Sequence, residues 1–158
     1  MPAFIPEQGI KPIILTNAAK LTPELLRELK QAGLTGFTIH IDSHQGRPDG
    51  QGRSETEHNE LRQYYADMVA AEGGLCTVFN STVYPDTFHE TPAVVRWGQA
   101  NIERVNGLVF ITYRVFPTRE AVAFAPEGRP VDASRLSYSG EHPEEYNTSG
   151  QVCEIIRE

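Results

Sequence analysis

From residue 11 to residue 114, short β-branched runs alternate with stretches punctuated as helices, and this alternation constrains the fold more than any other feature. The runs cover residues 12–16, 37–42, 75–80 and 107–113, each about the length of one strand. The first intervening segment has Thr22 as a helix N-cap, Pro23 at the first helical position and Gly33 as a stop. Leu25, Leu26, Leu29 and Ala32 form its apolar stripe. The second opens with Ser54 and Glu57 in capping-box spacing, turns Leu61, Tyr65, Met68 and Val69 to one side, and stops at Gly73-Gly74. The third starts at Thr91-Pro92 and offers Val94, Val95, Trp97 and Ile102 for burial. Three β-α-β units in succession predict a parallel sheet, because each parallel crossover needs a connection about as long as a helix. The expected fold is α/β, a partial (β/α) barrel of about four parallel strands over residues 1–114. Residues 115–158 are expected to form an irregular extension, with a β excursion over residues 121–131 and a terminal helix from Ser149.

Each strand turns polar at its C-terminal end: Thr16-Asn17, His40 through His44, Asn80-Ser81-Thr82, and Thr112-Tyr113-Arg114. Ligands of parallel α/β sheets and barrels bind at that end. Alternation places Thr38, His40 and Asp42 on one face, with Phe37, Ile39 and Ile41 on the other. With the apolar set against helices, His40 and Asp42 point into the barrel. A buried polar pair needs partners, since leaving it unpaired costs roughly 2–7 kcal/mol. Three readings follow: an interior polar layer, a ligand site, or metal ligation by His40, Asp42 and His44, whose donors suit zinc or iron. Asn17 and the trio Asn80, Ser81 and Thr82 offer groups for an amino-acid or ribose ligand, or cap their own loops. The glycine-containing loop of residues 44–53 has no phosphate-loop order and reads either as a mobile cover, with Arg47 and Arg53 as anion contacts, or equally as a plain long linker. Arg114 suits a carboxylate. His58 and His89 read as surface residues.

The net charge of −7 and the three scattered lysines argue against nucleic acid as a partner. The apolar runs are far too short for a membrane span, and the N-terminus lacks a signal-peptide pattern, so a cytoplasmic location is expected. Cys76 and Cys153 lie too far apart in sequence for a metal or redox motif and read as ordinary thiols.

The strand ends resemble those of radical-SAM enzymes. Lys11-Pro-Ile-Ile-Leu-Thr-Asn17 is similar to the family's third strand, which commonly ends Thr-Asn-Gly; here Ala18 stands in the glycine position. Phe37-Thr-Ile-His-Ile-Asp-Ser43 is similar to the fourth strand, Val78-Phe-Asn-Ser-Thr-Val83 to the fifth, and residues 108–114 to the sixth. The resemblance implies S-adenosylmethionine lying across the C-terminal face of the strands. Asn17 would lie near its methionine end, with Asp42 and Ser43 at the methionine or ribose. Asn80 would reach the ribose region, Tyr113 would border the adenine, and His40 and Thr82 would complete the cofactor-binding set. A full-length parent would use a [4Fe–4S] cluster for radical hydrogen abstraction from an organic substrate. The family's C-x3-C-x2-C loop is missing, for no cysteine precedes Cys76. The chain is therefore expected to be a fragment or a cluster-less remnant, inactive in radical chemistry by itself. Two other functions fit the same residues: a non-catalytic half-barrel binding a nucleoside or amino acid, and a metal-dependent hydrolase. A half-barrel exposes two sheet edges and an apolar face, which self-association would cover.

Overall fold

The computed structural model describes residues 8–113 and 147–157. Among them, β1 (Ile13–Thr16), β2 (Gly36–His40), β3 (Cys76–Val83) and β4 (Gly107–Thr112) form one sheet in the order β1-β2-β3-β4. All three pairings are parallel. The crossovers are α1 (Pro23–Gln31), α2 (Asn59–Glu72) and α3 (Thr91–Ala100), the last preceded by a 3-10 turn at Phe88–Glu90; α4 (Ser149–Arg157) follows later in the chain. The protein is α/β, with a four-stranded parallel sheet flanked by helices in a partial (β/α) arrangement. Among the described residues no helix is long and apolar enough to cross a membrane.

The helices cover one face of the sheet. Phe37, Ile39 and Ile41 from β2 and its end, and Phe79 from β3, share one core with Leu26 of α1 and with Tyr65, Ala66 and Val69 of α2. Trp97 of α3 packs edge-on against Phe79 at 5.4 Å between ring centroids. The opposite face follows from the register. Leu15, Thr38, Val78 and Gly107 form one row across it, and His40, Asn80 and Val109 form the next. On the outer strands this inner face is exposed at Ile13, Leu15, Val109 and Ile111, whereas Asn80 of β3 is buried on it.

Helix punctuation follows the sequence closely at α1, where the Thr22 hydroxyl accepts the Leu25 N–H at 3.2 Å. The Ser54–Glu57 box forms reciprocally, at 2.7 and 3.1 Å, but it caps a turn over residues 55–58 and α2 begins only at Asn59. At α4 the capping pair is Thr148 with Gln151, so the cap lies one residue before the predicted Ser149. Two stripe residues are misplaced by periodicity alone. Leu25 is partly exposed, and Ile102 lies beyond the end of α3 in solvent. β3 runs three residues past its predicted end, because Ser81 through Val83 pair with Phe110 through Thr112. The expected β excursion at residues 121–131 lies outside the described residues.

Candidate functional site

Four polar side chains gather at the C-terminal half of the inner face. His40 ends β2; its cross-strand neighbour in register is Asn80, in mid-β3. Two residues on, Asp42 is 2% exposed and holds His40 Nε2 through Oδ2 at 2.6 Å. The same oxygen accepts the Thr82 backbone N–H at 3.2 Å, and Oδ1 accepts the His44 N–H at 3.1 Å. Thr82 Oγ1 lies 3.5 Å from His40 Nε2. Burial alone would raise the Asp42 carboxyl. The His40 hydrogen bond and charge, together with the Thr82 amide, outweigh it and bring Asp42 below the ordinary aspartate value. His40 is part-exposed, and its Nδ1 has no partner among the described residues. Asn80 is buried, and its Oδ1 is an acceptor without a partner among the described residues; so is the buried Ser43 hydroxyl.

The backbone around Asp42 is held from beneath. Arg62 of α2 is 0% exposed, and its guanidinium donates to the Ile41 carbonyl at 2.9 Å and to Ser81 Oγ at 3.0 Å. It also bonds the Glu55 carboxylate and the Asn59 side chain. Glu55, likewise buried, accepts the Ser43 N–H at 2.9 Å through its other oxygen. Ser81 therefore serves the helix-facing side of β3, away from the inner face.

Asn17 and Tyr113 stand apart from this group. The Asn17 side chain is exposed and caps its own turn, accepting the Ala19 N–H at 3.2 Å. Ala18, in the position where the resembled motif has glycine, has φ 57°, a left-handed conformation that glycine adopts without strain. Tyr113 joins a ladder of rings across the strand ends. Its centroid lies 4.9 Å from that of Tyr84, which stacks on His44 at 4.1 Å. His44 turns away from Asp42's carboxylate and pairs with Asp86 at 2.9 Å. Tyr84 and Asp86 were not singled out by the sequence; the turn Tyr84-Pro85-Asp86 immediately after a strand was the available signal.

Several expectations about the surrounding loops are corrected. The loop of residues 44–53 is tied down by Arg47, which is buried and bound to the Asn17 carbonyl, to the Tyr65 hydroxyl and to Asp49 in a two-pronged pair at 2.9 and 2.8 Å. Its charge is spent on the protein itself, so it is not an anion contact. Arg53 pairs with Glu60 at the surface. His58 is buried, with Nδ1 2.7 Å from the Ser54 carbonyl, because the turn over residues 55–58 folds it inward. Arg114 lies outside the described residues.

Among the described residues, no three His, Cys, Asp or Glu side chains converge in a metal-holding group. Cys76 sits at the N-terminal end of β3, the opposite end from the polar cluster, and Cys153 lies on α4. The chain's two cysteines do not fit a [4Fe–4S] cluster, which needs three thiolates at one loop. No protein-family model matches the chain, and neither a curated protein nor a solved structure is significantly similar to it.

Proposed function

We propose that the C-terminal strand ends of this chain bind S-adenosylmethionine, in the manner of the central strands of a radical-SAM enzyme. The observation that carries the reading is the buried, unpartnered Asn80 acceptor beside the Asp42-oriented and part-exposed His40 at the C-terminal strand ends. An acceptor left unpaired in a folded interior costs about 1–3 kcal/mol, and a ligand donor would relieve that cost. An adenosyl amino acid carries matching groups: ribose hydroxyls, an ammonium and a carboxylate. His40 and Asn80 would meet these groups, Asp42 would fix the imidazole, and the Tyr84–Tyr113 rings border the neighbouring strand ends. The bound molecule would supply a sulfonium-activated adenosyl group. This chain supplies no cluster ligands for its reductive cleavage, so the reading assigns it cofactor binding and no radical step. The exposed, unpaired thiols of Cys76 and Cys153 favour a reducing, cytoplasmic setting.

Isothermal titration of the protein with S-adenosylmethionine tests the reading. Saturable binding is expected, weakened about tenfold or more in Asp42→Ala, the loss of a charge-assisted hydrogen bond worth about 1.5–3 kcal/mol. Absence of heat at millimolar ligand, or equal affinity in the variant, overturns it.

A further inference from the structure

The buried pair Arg62–Glu55 lies beneath the polar cluster and touches none of its inner-face side chains. It grips the backbone on both sides of Asp42: Arg62 holds the carbonyl of Ile41, and Glu55 holds the amide of Ser43. Both are buried, so the pair is shielded from water and the geometry it imposes is stiff. A buried salt bridge often stabilises a fold no more than an apolar substitute would, so stability alone does not account for the pair. The 41–43 backbone sets where the Asp42 carboxylate lies between His40 and the Thr82 amide. Ser81 Oγ donates to the same Ile41 carbonyl at 2.7 Å, which ties β3 to this point.

We infer that Arg62 and Glu55 are positioning residues for the Asp42–His40 pair, acting through the Ile41 carbonyl and the Ser43 amide. The inference deepens the ligand-binding reading and rests on it for its functional meaning. Asn59, bonded to Arg62 at 2.7 Å, is an outer member of the same assembly.

Carboxyl-carbon NMR titration of Asp42, without ligand, separates positioning from bulk electrostatics. Glu55→Gln keeps the side-chain shape and removes one carboxylate charge. Gln has a single oxygen, which cannot serve Arg62 and the Ser43 amide in the way two carboxylate oxygens do. If Glu55 acts only by its charge, its loss lowers the Asp42 midpoint further. If it positions Asp42, the midpoint rises toward the ordinary aspartate range as the His40 and Thr82 bonds loosen. A rise is expected in Glu55→Gln, and a smaller one in Asn59→Ala, which loosens Arg62 with no buried charge removed. Should Glu55→Gln fail to fold, Asn59→Ala carries the decision. An unchanged or lowered midpoint in the folded variants overturns the inference. Affinity for S-adenosylmethionine, measured beside it, is expected to fall about tenfold in Glu55→Gln. A wild-type protein that binds no S-adenosylmethionine removes the ligand assignment, while the ligand-free titration still decides the positioning role.

Discussion

Truncating one apolar residue on each face of the sheet tests the proposition that only one face is core. Ile39 points toward the helices and is 0% exposed; Leu15 points to the inner face and is 68% exposed. Ile39→Ala removes a fully buried side chain and leaves a cavity among Phe37, Ile41 and the helices, which costs about 2–5 kcal/mol. Full burial of a leucine side chain contributes about 1.5–3 kcal/mol, and only about a third of Leu15 is withdrawn from water. Leu15→Ala is thus expected to cost about 0.5–1 kcal/mol. Urea unfolding followed by circular dichroism resolves the two, because slopes of about 1–3 kcal/mol per molar place the Ile39→Ala midpoint well below that of Leu15→Ala. In thermal melts, a 3 kcal/mol loss corresponds to about 6–12 °C for a chain of this size. Equal costs at the two sites would refute the reasoning and show that the inner face is buried in solution. A Leu15→Ala cost that grows with protein concentration would assign the cover to a second copy.

Two further outcomes follow from local geometry. A methyl group on Gly36 would meet the backbone oxygen of Cys76 at 2.6 Å, so Gly36→Ala is expected to destabilise by about 1–3 kcal/mol; a methyl on Gly98 would meet side-chain atoms of Leu108, Cδ1 at 2.6 Å and Cγ at 3.2 Å, which can shift, so Gly98→Ala is expected to cost less in the same urea series. Asp42 has a lowered value in the folded state, so the stability it confers is complete above the unfolded value of about 3.9 and is lost as pH falls through the folded one. The stability gap between wild type and Asp42→Asn, measured from pH 7 downward, is therefore expected to narrow below about pH 4; a constant gap would contradict the assigned contacts.

The sequence alone determined the elements and their order, because their signals are local. Thr22 and Pro23 start a helix wherever they precede an amphipathic run, and Gly33 and Gly73, at φ 95° and 70°, stop one by adopting a conformation other residues resist. The period of two likewise put Phe37, Ile39 and Ile41 on one face and His40 and Asp42 on the other, since strand geometry leaves no other choice; the packing of the helices decided that the first face is the core. What each polar residue is bound to depends on neighbours distant in sequence, and only tertiary structure decided it. Arg47 read as a free cation until Asn17, Tyr65 and Asp49 were brought around it. The H-x-D-x-H run left three readings open, one of them a single metal-ligand set, and His40 pairs with Asp42 while His44 stacks on Tyr84 and pairs with Asp86, 42 residues away. Nothing local in the sequence sets Arg62 and Glu55 apart from the chain's other charged residues. Burying both costs several kcal/mol per ion unless each is paired, and it is the packing of α2 beneath the strand ends that pairs them and aims Asp42.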